Sequence, residues 1–189
     1  MNRLLGSAVA ILVLAAGPGC TTMDAAPSAI GAPPQVKLDR VEVASYFPYA
    51  APPARVPLVL AFVFNVTNPN DHVVTLEELR FAYGFEARPG QFFTLNSPAV
   101  YDLQSIPAKT TNQLRVVSVL DSAIVPSTLS VTQGFKMQEL GVKAPDLVKT
   151  WWEAIGDFSY AIRVSEGVAT FTAGKASTIV TFQETFKKN

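Results

Sequence analysis

The 189-residue chain holds one cysteine and one histidine, and its 15 lysines and arginines are balanced by 15 aspartates and glutamates. Cys20 has no second thiol to pair with, so no disulfide closes within the chain. Neither a Cys-x-x-Cys nor a His-x-x-x-His spacing occurs, which withholds the usual ligand sets for zinc or iron. His72 is the single imidazole and no Gly-x-Ser-x-Gly elbow accompanies it, so a serine-hydrolase triad is not expected. There is no glycine-rich phosphate loop. With a formal net charge of +0 and no run of like charge, nothing stands ready to neutralise phosphates, and nucleic acid is not an expected partner. Glu77 and Glu78 are adjacent, and on a strand they face opposite ways, as a solvated edge rather than a glycosidase pair. Asn68, Asn70 and Asp71 offer oxygens around one turn, which reads as a hydrogen-bonded turn rather than a calcium loop. These absences point away from an enzyme, a cofactor and a metal.

What is present begins with an address. Asn2 and Arg3 precede an unbroken small and apolar run from Leu4 to Ala16, followed by Gly17-Pro18-Gly19-Cys20. This reads as a signal peptide over residues 1–19, too short to stay across a bilayer. A lone cysteine directly behind such a run is a candidate lipid-attachment site, and the segment resembles the bacterial lipobox. Gly17 and Pro18 depart from the leucine and the alanine or serine which that pattern prefers. Thr21, rather than aspartate, after Cys20 implies the outer membrane by the sorting rule of such lipoproteins. The alternative is a soluble secreted chain cut among Ala15 to Ala26 with Cys20 unused. Residues 20–34 then read as a lipidated N-terminus and tether of alanine, proline, glycine, serine and threonine, about 40 Å long if extended. Residues 35–189 suffice for one domain with its own core.

The centre of that domain is Pro57 to Asn70. Leu58, Leu60, Phe62, Phe64 and Val66 point one way and Val59, Ala61 and Val63 the other, as for a strand covered on both faces. Asn68-Pro69-Asn70 stops it, because proline presets a turn and the asparagines can bond nearby backbone. Gln35 to Phe47 predicts a first strand with a bulge near Asp39-Arg40, where the apolar phase changes. Further strands are expected from Val74 through a Tyr83–Phe93 hairpin turned at Arg88-Pro89-Gly90, over Val100–Ile106 and Asn112–Leu120, and finally over Ser177–Phe186. Phe158 to Val164 alternates, Glu166-Gly167 is expected to turn the chain, and Val168 to Phe171 to return. Asp121 to Pro145 fits strand, short helix or excursion equally. Leu147, Val148, Trp151, Trp152 and Ile155 share one face of a helix opened by Pro145 and closed by Gly156, expected to seal one face of the sheet containing the central strand. The fold class is mainly β, a two-sheet antiparallel β-sandwich of immunoglobulin or fibronectin III kind with one amphipathic helix.

Phe64-Asn65-Val66-Thr67-Asn68-Pro69-Asn70 resembles the hydrophobic strand and turn of the type 2 late embryogenesis abundant proteins, which carry the WHy (water stress and hypersensitive response) domain. Val36–Val43 is similar to that family's first strand, Leu76–Phe85 to the strand after the turn, and Ile106-Pro107-Ala108-Lys109-Thr110 with Leu114–Val117 to its proline turn and following strand. The resemblance implies a non-enzymatic domain tied to desiccation or related stress, acting through contact with proteins or membranes. A second reading is an envelope binding module that holds an apolar ligand or a partner protein. Its candidate surface is Trp151, Trp152 and Tyr49, whose competing role is core packing.

Overall fold

The computed structural model describes residues 30–188. The expected signal, Cys20 and most of the expected tether lie outside them. Two antiparallel sheets form a sandwich with helices at one end. One sheet is β1 (Gln35–Ser45), β2 (Pro57–Thr67) and β7 (Thr111–Asp121), with β2 in the middle. The other is built on β3 (Val74–Arg88) and runs β4 (Gln91–Asn96), β3, β8 (Ile162–Ala173), β9 (Ala176–Phe186). The short β5 (Ala99–Val100) and β6 (Gln104–Ile106) also pair with β3.

The alternation of β2 becomes a core. Leu58, Leu60, Phe62, Phe64 and Val66 face the opposite sheet, where Phe62 and Phe64 meet Phe81 at ring separations of 5.1 and 5.0 Å. Edge-on and tilted packing suits the ring quadrupoles. The other face of β2 differs from the expectation of a second covering layer. Val63 is flanked by Arg40 of β1 and Arg115 of β7, and Ala61 lies between Glu42 and Val117. Both arginines pair with Glu42, at 2.8 and 3.3 Å, so Ala61 and Val63 are buried under charged side chains of their own sheet. Long arginine stems can do this while their heads stay in water. The β1 bulge falls between Leu38 and Arg40, where the change of phase placed it.

Most of residues 121–145 forms helix α1 (Val125–Leu140), so two α-helices rather than one stand among the described residues. Periodicity gave no warning of it, because α1 is apolar on opposite sides. Val125, Leu129 and Met137 are buried, whereas Val131 and Phe135 are 86% and 91% exposed. The helix breaks at Gln133, whose φ of −137° is not helical. There the carboxamide of Gln133 accepts from Thr94 N at 3.2 Å and donates to Thr94 O at 2.7 Å, while Lys136 Nζ donates to Phe92 O at 2.6 Å. Together they occupy groups along the outer edge of β4 that would otherwise invite another strand. Gln133→Ala is expected to cost about 1 kcal/mol and to speed amide exchange at Thr94, readable by hydrogen-exchange mass spectrometry.

Helix α2 (Ala144–Ala154) carries the expected apolar face, but it plugs an end of the sandwich instead of sealing a sheet face. It is not closed by Gly156 either. The chain continues into a 3-10 turn over Ile155–Asp157, and the left-handed residue that stops it is Phe158, at φ 50°. The strand expected from Phe158 accordingly begins at Ile162. Glu166-Gly167 is no turn: β8 continues through it to Ala173, and the reversal falls at Gly174, whose φ is 61°. The reason is packing against β9. A Cβ on Gly167 would stand 2.6 Å from the Phe182 ring and carbonyl, so the missing side chain serves a close strand approach.

Candidate functional site

One polar cluster and one aromatic cluster, at opposite ends of the sandwich, hold the sequence-predicted site residues that are described. At the end where β2 finishes and β3 starts, Asn68 is fully buried. Its Nδ2 donates toward His72 O at 2.7 Å and Ile106 O and Pro107 O at 3.1 Å each. Its Oδ1 accepts from Asn70 N at 3.0 Å and Asn70 Nδ2 at 3.1 Å. Asn70 turns outward to pair with the incoming chain. Its Oδ1 accepts from Ala32 N and its Nδ2 donates to Ala32 O, both at 2.9 Å, as a neighbouring strand would. Gly31, at φ 100°, makes room, since a Cβ there would lie 2.5 Å from Asn70 Oδ1. Pro69 contributes its carbonyl, which accepts from Lys109 Nζ at 2.5 Å. The Asn-Pro-Asn turn is therefore a knot joining the segment before β1, the β2–β3 turn and the β6–β7 turn. The oxygens of Asn68 and Asn70 face protein N–H groups, and Asp71 faces solvent. Among the described residues no group of three or more His, Cys, Asp or Glu side chains converges as a metal site.

At the other end, Trp151 and Trp152 are 1% and 0% exposed. The Trp151 indole packs edge-on against Phe85 at 5.6 Å and donates to Glu86 O at 2.9 Å. The Trp152 indole donates to Val56 O at 3.0 Å, and Val56 is held further by its N–H to Ser122 Oγ at 2.9 Å. Both polar handles are thus spent on backbone, as a buried indole requires. Tyr49 lies half-buried against the core, in the loop that leads from β1 to Val56. The three residues lie at one end of the molecule, with the two tryptophans buried inside the plug. Cys20 lies outside the described residues.

Similar folds occur among solved structures. A solution structure of an Arabidopsis thaliana protein is 12% identical, with 81% of this chain and 80% of that one covered and a TM-score of 0.46. A second solution structure, of a protein described as late embryogenesis abundant (LEA), is 13% identical, covering 82% of this chain and 71% of its own, at a TM-score of 0.43. A crystal structure of a protein from Archaeoglobus fulgidus is 11% identical, covering 81% and 98%, at 0.39. No family model and no curated protein matches the sequence.

Other buried polar groups are bonded inside the fold, although Gln104 Oε1 is buried without a hydrogen-bond partner. Tyr83 Oη and Ser118 Oγ lie 2.9 Å apart across the sandwich, and Asn96 Nδ2 donates to the same Ser118 oxygen at 3.0 Å. Burial pushes the Tyr83 phenol up to about 12, against hydrogen bonding by Ser118 and Asn96, which favours the phenolate. Burial also raises Tyr160, whose hydroxyl donates to Trp151 O at 2.8 Å. Both phenols stay protonated in folded and unfolded chains below pH 10, so their share of stability is complete there. Above it the unfolded chain ionises first, and stability is lost as the pH climbs toward the raised folded values. From Tyr83 alone the loss is about 2 kcal/mol by pH 12. Urea midpoints are expected to fall steeply above pH 10, and a profile flat to pH 12 would contradict this.

What sequence reading missed is on the outer face of the six-stranded sheet. Arg80, Tyr101, Glu166 and Gln183 border one groove there. They come from four separate segments, and the only local signal was Glu166-Gly167, which reads as a turn.

Proposed function

We propose that the chain is a non-catalytic sandwich module of WHy type, exported and held in a bacterial envelope through a lipid on Cys20, with a role in stress tolerance through contact with proteins or membranes. The observation that carries the non-catalytic part is the use of buried polar groups. Asn68, Asn70, Ser118 and Ser122 are the buried polar residues, and each is bonded to backbone or to another buried side chain. None is a titrating group poised beside a cavity, which acid–base chemistry would require.

The turn motif supports the family reading by its role: both asparagines and the Pro69 carbonyl act within the fold. The described chain starts at Ile30, next to the Asn70 knot. An anchor at Cys20 would sit ten residues earlier, within about 31 Å if extended. Such an anchor would hold the domain by the end that carries the knot. Outer-membrane placement and the limits read from the sequence, with 1–19 as signal, 20–34 as tether and 35–189 as the folded unit, belong to the same proposal, except that residues 30–34 join the fold: Ile30 is buried in the core and Ala32 pairs with Asn70.

Intact mass of the protein from native membranes tests the anchor. A chain beginning at acylated Cys20, with the Cys20→Ala variant released from the membrane, is the expected result, and an unmodified chain cut elsewhere would remove the lipoprotein reading. Survival of drying by cells lacking the protein tests the role.

A further inference from the structure

The two outer faces of the sandwich treat their polar side chains differently. On the three-stranded sheet they are tied together: Asn65 Nδ2 donates to Asp39 at 3.2 Å, Gln113 Nε2 to Asn65 at 3.2 Å, and Arg40 and Arg115 both reach Glu42. On the six-stranded sheet a groove of about 860 Å³ crosses β3, β8 and β9 and is walled by the Ser97–Ala99 segment. Among the described residues, Tyr101, Glu166, Thr181 and Gln183 are left to solvent with no side-chain bond to the protein, and Arg80 has only a 3.5 Å contact with Glu78. Tyr101 is 70% exposed, an aromatic face with nothing laid on it.

The floor of the groove is strained. Between the pairs Val164–Glu184 and Gly167–Phe182, Ser165 and Glu166 stand opposite the single residue Gln183, which is a β-bulge. Its second residue is Glu166, a non-glycine residue at φ 52°. Such a conformation costs about 1–3 kcal/mol and persists where something else requires it. Gly167 holds the bulge by its close approach to Phe182, and the bulge re-aims Glu166 into the groove beside Gln183.

We propose that this groove binds a neutral, hydroxyl-rich ligand, an oligosaccharide, with Tyr101 as the stacking face and Arg80, Glu166 and Gln183 as hydrogen-bonding groups. One cation beside one anion does not suit a polyanion, which needs an excess of Lys or Arg. An extended peptide is disfavoured by position. β3 and β8 are each paired on both sides, so outside the Ser165–Glu166 bulge their backbone groups are engaged in ladders rather than open to strand addition. Recognition across the middle of the sheet goes mainly through side chains, and those present combine hydroxyl, amide, guanidinium and carboxylate groups with the exposed Tyr101 ring and an apolar floor that includes Val168 and Phe182. The volume lies within the range of small-molecule sites. The inference stands whether or not Cys20 is acylated, so the fate of the anchor does not decide it.

Calorimetric titration of the full chain with chitotetraose and with maltotetraose, and with tetra-alanine as the peptide probe, tests the site. At least one of the sugars is expected to saturate, with Tyr101→Ala weakening it tenfold or more. Glu166→Gly is expected to weaken it too while raising the thermal midpoint, because glycine relieves the left-handed strain. A merely structural Glu166 would move only the midpoint. Val117→Ser, on the opposite face, should bind like the parent. The proposal is overturned if neither sugar saturates at millimolar concentration, if binding survives Tyr101→Ala and Glu166→Gly unchanged, or if tetra-alanine binds in the sugars' place.

Discussion

Trp152→Ala is expected to be the most damaging single truncation at the helix end, at about 4 kcal/mol. Two losses add there. The fully buried indole leaves a cavity bounded by helix and sheet, and the Val56 carbonyl loses the N–H that reaches it at 3.0 Å. Val56 O also accepts from Ser122 N at 3.1 Å, so it is not wholly orphaned, and the cavity dominates. With a typical urea slope of about 2 kcal/mol per molar, the midpoint should drop by about 2 M. Trp152→Phe separates the two contributions, because it retains most of the volume and removes the donor; about 1–2 kcal/mol is expected. If Trp152→Ala unfolded within about 0.5 M of the parent, the plug would not be a packed part of the sandwich. The same comparison bears on the second functional reading: a ligand-facing tryptophan would cost binding with little stability, whereas this geometry predicts the reverse.

Asn68→Asp is the second large effect, and its sign depends on pH. The substitution changes almost nothing in shape and replaces an amide that faces three carbonyls, of His72, Ile106 and Pro107, by a group with no donor when ionised. A buried carboxylate against carbonyl oxygens leaves a charge uncompensated, at about 3–5 kcal/mol. The new carboxyl would have its folded pKa raised, since only the protonated form can donate. A raised folded value means that the penalty is small below the ordinary carboxylate range and grows as pH rises through and beyond it. Denaturation at pH 4 and pH 7 should therefore show the variant closer to the parent at pH 4. Asn68→Ala, which removes donors and acceptor together, should show no such pH dependence. Equal losses at both pH values for Asn68→Asp would mean that the amide is not the donor to those carbonyls.

Much of the fold was legible where one residue type had one physical use. The alternation of Leu58 to Val66 and the change of phase at Asp39-Arg40 both depend on a period of two, and each reappears in the β1–β2 register. The apolar face of α2 was readable for the same reason. Helix α1 was not, because the side that faces β4 relies on Gln133 and Lys136 for edge bonds while Phe135 and Val131 face outward. Gly156 and Gly167 misled in opposite directions. A glycine after a helix suggests a cap, yet the chain ran on to Phe158; a glycine after Glu166 suggests a turn, yet its use was to admit Phe182.

Taken alone, the sequence determined what depends on neighbours along the chain. That covers the apolar run ahead of a lone cysteine, most of the strands, the amphipathic helix and the Asn-Pro-Asn stop. Tertiary structure alone decided which distant groups meet: that α2 plugs an end, that Asn70 pairs with Ala32, that Gln133 guards Thr94, and that Arg80, Tyr101, Glu166 and Gln183 share a groove. The physical reason is that periodicity reports which side of an element avoids water, whereas a polar side chain's partner is fixed by register and packing between segments far apart in the chain.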